Sequence, residues 1–135
     1  MRFKFSTLMI WALVAIGSGA IIWQAQTRSV QSVVVPVKVP PLSATAQRGQ
    51  TVFEQDCKIC HGVNAGGSVN GPPLVHLVYA PNHHADITFF MAVKLGVRAH
   101  HWTFGNMPPI KGVSEDKITQ ITMFVRELQN ANGIN

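Results

Sequence analysis

Cys57-Lys58-Ile59-Cys60-His61 is the stretch of the 135-residue sequence that best predicts its fold. The chain has only two cysteines, so neither has another thiol with which to pair. On one helical turn, two thiols at this spacing can add to the two vinyl groups at one edge of a porphyrin, and the next histidine can bind the iron. The C-x-x-C-H pattern therefore predicts one covalently attached haem c, held by Cys57 and Cys60, with His61 as an axial ligand of the iron.

Two other kinds of site use closely spaced cysteines. A thioredoxin-like redox pair opens a helix in a βαβ unit, but no strand-rich pattern surrounds Cys57 and Cys60. A zinc site needs a second cysteine pair or a compact Cys/His set, and the histidines of this chain do not have the spacing of a zinc finger. Haem attachment is the favoured interpretation.

The second axial ligand is predicted in residues 104–109, which read Phe-Gly-Asn-Met-Pro-Pro. An electron carrier favours a six-coordinate iron, and a thioether sulfur raises its reduction potential. Met107 suits this role because the prolines after it stiffen the loop and exclude helix. Met91 and Met123 lie in helical patterns and are interpreted as core residues. A histidine is the alternative ligand.

Residues 1–28 are predicted to form an N-terminal membrane anchor, or an uncleaved signal. The segment from Phe5 to Trp23 is almost wholly apolar, is long enough to cross a bilayer and follows Arg2 and Lys4. By the positive-inside rule these charges predict an N-terminus on the cytoplasmic side. Because haem c is attached in the bacterial periplasm, the two arguments together predict a single-pass protein of the bacterial inner membrane with its C-terminal domain facing the periplasm. Cleavage is disfavoured because no convincing small-x-small site follows the apolar segment.

Residues 29–43 are predicted to be a Val/Pro-rich linker, and residues 44–135 to be one small domain. Pro36, Pro40 and Pro41 disfavour helix and central strand alike, which indicates an extended stalk. A short edge strand packed on the domain is the alternative, because the valines of this segment have β propensity.

Three helical patterns in residues 44–135 predict an all-α domain. The first runs from about Thr45 to Asp56. The second begins near Asp86 as an N-cap and ends at Gly96, and the third begins at Ser114. The predicted apolar stripes are Ile87, Phe90, Met91 and Leu95 on the second helix, and Ile118, Ile121, Val125 and Leu128 on the third.

The formal net charge of +5 does not indicate nucleic-acid binding. Four of the eleven Lys and Arg residues lie before Ala44, and the domain that follows is nearly neutral. Because a surface that binds phosphates needs clustered positive charge, the sequence predicts no nucleic-acid partner.

From about Ala44 to its end, the chain resembles a class I single-haem cytochrome c of the membrane-anchored bacterial type. After the haem motif come Gly71-Pro72-Pro73-Leu74, similar to the family's Gly-Pro-x-Leu, and then Met107-Pro108, in the family's order. The resemblance implies a small cytochrome c fold wrapped around one haem. It also implies that the first and last helices pack through Gly49, Phe53 and Phe124.

The same resemblance implies that the carbonyl of Pro72 accepts the proton of His61, while Leu74 packs on the porphyrin face. Independently of the family, Trp102 and Arg98 are candidate partners for the haem propionates. An indole N–H or a guanidinium can compensate a buried carboxylate.

Two histidine pairs, His83 with His84 and His100 with His101, fall outside the haem motif. They are interpreted as polar loop residues, as contacts to the haem edge, or as a copper or zinc site, since imidazole binds both metals. These three interpretations stay open at the level of sequence.

Together these features predict an electron-transfer protein rather than an enzyme, one that exchanges electrons with redox partner proteins. A respiratory or periplasmic dehydrogenase would be the donor, and a terminal oxidase is an example of the acceptor. The chain could also be a subunit of a larger oxidoreductase complex. The alternatives are a haem-based catalyst, which needs an open distal position, and a metal-responsive module that uses the histidine pairs.

Overall fold

The computed structural model describes residues 33–135. The membrane anchor predicted in residues 1–28, and the start of the predicted linker, lie outside the described residues. Among the residues that are described, none of the helices has the length and hydropathy that a bilayer crossing requires.

Helices supply the regular structure of residues 33–135. The α-helices are α1 (Ala44–Asp56), α2 (Lys58–His61), α3 (Asp86–Leu95) and α4 (Glu115–Ala131), and the 3₁₀ turns are Val63–Ala65 and Leu77–Tyr79. This part of the chain contains no β-strand and only an isolated antiparallel bridge between Val97 and Met107. The all-α prediction is confirmed for the described residues.

Helices α1 and α4 pack closely against each other, and their contact forms the centre of the core. A Cβ atom built on Gly49 would lie 1.9 Å from the carbonyl oxygen of Gln120, so only glycine permits this approach. One turn further along α1, the rings of Phe53 and Phe124 pack with centroids 5.4 Å apart and planes tilted by 56°. The helix contact implied by the resemblance is present.

Helix α4 begins and packs as the sequence predicts. The hydroxyl oxygen of Ser114 accepts a hydrogen bond from the backbone N–H of Lys117, which makes Ser114 the N-cap. All four residues of its predicted stripe are buried: Ile118, Ile121, Val125 and Leu128.

Helix α3 differs from the prediction at its start and on its buried face. Its N-cap is Ala85, with no side-chain capping bond, and Asp86 is the first helical residue. Ile87 and Leu95 are 62% and 66% exposed, whereas Val93 is the buried residue of this helix. The prediction was wrong because seven of the ten residues of α3 are apolar, so apolar spacing alone does not distinguish one face of the helix from another.

Residues 33–43 are not a free stalk: they form no helix or strand, and they pack against the domain. The N–H of Val35 donates to the carbonyl of Gly66 at 2.8 Å, and Lys38 exchanges two hydrogen bonds with the side chain of Asn132. Ser43 donates to the carboxylate of Glu127 through both its N–H and its hydroxyl. These contacts satisfy backbone groups that a solvated stalk would leave to water.

We expect Gly49→Ala to lower the free energy of unfolding by about 3 kcal/mol, because the added methyl group forces α1 away from Gln120. Denaturant unfolding of the holoprotein measures this. Thr51→Ala is the matched control on the exposed side of α1 and should change stability by less than about 0.5 kcal/mol. Equal stability of the two variants would contradict the close helix crossing.

Candidate functional site

A largely apolar cavity of about 560 Å³ lies among α1, α2, α3 and the loop that follows α3. Every site residue predicted from the sequence lines it: Cys57, Cys60, His61, Pro72, Leu74, Trp102 and Met107. The fold therefore brings together side chains that are widely separated in the sequence.

The two cysteines stand one helical turn apart at one edge of the cavity. Cys57 is the C-cap of α1, and its carbonyl accepts hydrogen bonds from the N–H groups of Cys60 and His61, at 3.1 and 2.9 Å. Burial, with smaller contributions from Asp56 and Cys60, raises the pKa of the Cys57 thiol to about 11. Both sulfurs are free thiols, as a site for addition to a ligand requires.

His61 is oriented by a backbone carbonyl. Its Nδ1–H donates to the carbonyl of Pro72 at 2.9 Å, which is the bond that the resemblance implied. Burial lowers the pKa of His61, although the bond to Pro72 opposes this shift. The imidazole is thus neutral, with the lone pair on Nε2 available to a metal ion.

Met107 is held by its backbone at the cavity wall. It exchanges two hydrogen bonds with Val97, at 2.9 and 3.0 Å, and the neighbouring Asn106 accepts the N–H of Ala99 through its side chain. Of the two methionines interpreted as core residues, Met91 lines the cavity and Met123 is 43% exposed on α4, so that interpretation was wrong for both.

Trp102 carries a buried indole Nε1–H that meets no acceptor at hydrogen-bonding geometry within the described residues. Its side chain lies close enough to the hydroxyl of Tyr79 to oppose the rise in the pKa of Tyr79 that burial causes. An unsatisfied buried donor is costly, and a ligand carboxylate in the cavity would satisfy it. Arg98, the other candidate propionate partner, is exposed and also lines the cavity.

The donor set and the cavity together fit haem c. Two thiols stand one turn apart, a neutral imidazole and a thioether line one apolar cavity, and an indole N–H is left for a propionate. Cys57 and Cys60 would hold the porphyrin covalently, and His61 and Met107 would supply the axial atoms.

Sequence reasoning missed Arg126, whose guanidinium fixes the segment 79–86 to α4. It donates to the backbone carbonyls of Tyr79 and His84, to the side chain of Gln129 and to the carboxylate of Asp86, the last at 2.7 Å. Two of these partners are backbone carbonyls far away in the sequence, and no residue pattern could have indicated them.

The four histidines of the two pairs lie together at the edge of the cavity. One ring nitrogen each of His83, His84 and His101 lies within 4.8 Å of the other two. The ring of His100 is centred 4.2 Å from that of His101. Desolvation and the nearby imidazoles lower the pKa of His101. The sequence did not indicate that these two pairs meet.

Comparison with known proteins gives one match. A family model described as cytochrome c matches residues 46–129, which include the haem motif, residues 71–74 and Met107. Neither the curated proteins nor the solved structures gave a match.

We expect Arg126→Met to lower the free energy of unfolding by about 2–3 kcal/mol, because it leaves the carbonyl of His84 and the side-chain oxygen of Gln129 without the guanidinium donor and removes one of the two donors to the carbonyl of Tyr79. Chemical denaturation of the holoprotein measures the loss. Arg48→Met is the control, since Arg48 makes only an exposed hydrogen bond to Thr45. If Arg126→Met loses no more stability than Arg48→Met, the hydrogen bonds of Arg126 do not hold residues 79–86 against α4.

Proposed function

This chain belongs to the cytochrome c family, and on that premise we propose that it is a membrane-tethered carrier of single electrons in the bacterial periplasm. Family membership implies a covalently bound haem c and supports an electron-transfer protein over a catalyst. The proposed donor is a respiratory or periplasmic dehydrogenase, and the acceptor is an enzyme such as a terminal oxidase.

The observation that carries the proposal is that His61 and Met107 line one cavity and are each fixed by backbone contacts. Haem c bound there supplies a one-electron iron couple. The Pro72 carbonyl orients the imidazole, and the bridge to Val97 holds the loop of the thioether. Ligands fixed in this way need little rearrangement when the charge of the site changes, which favours electron transfer.

The same geometry disfavours a haem catalyst. Catalysis on a small oxidant needs an open distal position. Met107 is at the cavity wall and its loop is braced by Val97 and Ala99, so we assign its sulfur to that position.

Redox partners would dock mainly through short-range contacts. Beside the cysteines, Ile59 and Val63 are 77% and 65% exposed, and residues 44–135 carry almost balanced charge. Electrostatic steering of a strongly acidic partner is therefore weak. A membrane tether would compensate by raising the effective concentration of the carrier near membrane-bound partners.

We expect Met107→Leu to remove the sulfur-to-iron charge-transfer band from the oxidised spectrum and to lower the reduction potential, because leucine offers no ligand atom. Absorption spectroscopy and redox titration of the holoprotein measure both effects. Met91→Leu is the matched control, since Met91 also lines the cavity, and it should keep the band. Loss of the band in Met91→Leu, with retention in Met107→Leu, would reverse the assignment.

The tether is tested by replacing residues 1–28 with a cleavable export signal. We expect the full chain to sediment with membranes and to resist extraction at high pH, while the variant becomes a soluble periplasmic protein with haem attached. Fractionation followed by haem staining measures this. A full chain that alkaline washing releases would contradict a membrane anchor.

A further inference from the structure

We propose that His83, His84 and His101 form a binding site for one divalent transition-metal ion of the Zn²⁺ or Cu²⁺ class, separate from the haem ligands. One ring nitrogen of each lies within 4.8 Å of the other two. Tetrahedral Zn²⁺ with Zn–N bonds of about 2.0–2.1 Å needs ligand nitrogens about 3.4 Å apart. Small rotations of the exposed rings of His83 and His101 close that gap.

His84 is already oriented as a metal ligand. Its Nδ1–H donates to the carbonyl of Val78 at 2.6 Å, which leaves the lone pair on Nε2. Histidines that bind metals usually donate their other ring N–H to a carbonyl or carboxylate in this way. The carbonyl of His84 accepts from Arg126, so the backbone of this ligand is fixed to α4.

The ligands come from two separate loops that meet only in the folded chain. The N–H groups of His83 and His84 both donate to the carbonyl of Ala80, which forms a tight turn. His101 lies in the loop between Val97 and Met107, and its ring centre is 5.3 Å from that of His83 and 5.2 Å from that of His84. A bound ion would join this turn to the loop that carries Met107.

The donor set selects the class of metal. The cluster contains imidazoles and no carboxylate, which suits Zn²⁺ or Cu²⁺ and not Mg²⁺ or Ca²⁺. The group of nearby ring nitrogens includes those of His83, His84 and His101 but not that of His100, so three imidazoles would bind the ion and its fourth position would be open to solvent.

Calorimetric titration of Zn²⁺ into the oxidised holoprotein tests this site without a competing redox reaction. We expect one ion per chain, and a dissociation constant raised at least about tenfold by either His83→Gln or His101→Gln. His76→Asn is the matched control: it removes an imidazole outside the group and keeps an acceptor for the N–H of Val78. Its affinity for Zn²⁺ should equal that of the wild type.

A second readout separates loss of the site from loss of the fold. Zn²⁺ should raise the thermal midpoint of the wild type and of His76→Asn, but not of His101→Gln. All three haem spectra should be the same, with and without Zn²⁺. No binding of Zn²⁺ by the wild type, wild-type affinity for Zn²⁺ in either glutamine variant, or displacement of a haem ligand by Zn²⁺ would contradict the proposed metal site. The electron-carrier proposal is unaffected by these outcomes, because the haem spectrum without Zn²⁺ and the potential test it independently.

Discussion

The crossing of α1 and α4 is the contact on which the rest of the domain depends. Gly49 lets the two helices approach until its Cα faces the carbonyl of Gln120, and the Phe53–Phe124 pair fills the space beside it. Because Cys57 caps the end of α1, this crossing also sets where the haem motif begins. Other residues of α4 hold the backbone of residues 74–84, which forms part of the cavity wall.

Gln129 and Arg126 show how α4 does this. The amide of the fully buried Gln129 donates to the carbonyls of Leu74 and Tyr79, and Arg126 binds Tyr79 and His84. Irregular segments cannot satisfy their own backbone groups, so side chains of a helix satisfy them instead. One helix thus fixes the wall of the cavity and the turn that carries His83 and His84.

Much of the site could be predicted because its signals are local in the sequence. The C-x-x-C-H spacing of Cys57, Cys60 and His61 predicts haem attachment, and the prolines after Met107 predict a stiff loop without helix. Each signal lies within a few residues of the sequence. The stripe of α4 was equally clear, since polar residues separate its apolar positions. The close approach at Gly49 followed from the family resemblance.

The rest depends on tertiary contacts. The apolar composition of α3 conceals its buried face, and the packing of residues 33–43 depends on Asn132 and Glu127, at the other end of the domain. The meeting of the two histidine pairs depends on the fold of two loops. Such contacts have no signature within a single segment, because the partners are backbone groups or residues far away in the sequence.

The absorption spectrum of the purified full-length protein, oxidised and then reduced, tests most directly whether residues 57–61 and Met107 hold one haem. We expect haem that resists acid-acetone extraction, a low-spin spectrum in both states, and a sulfur-to-iron charge-transfer band in the oxidised state. A high-spin spectrum without that band would contradict the assignment of Met107, and a protein without covalent haem would contradict the carrier itself.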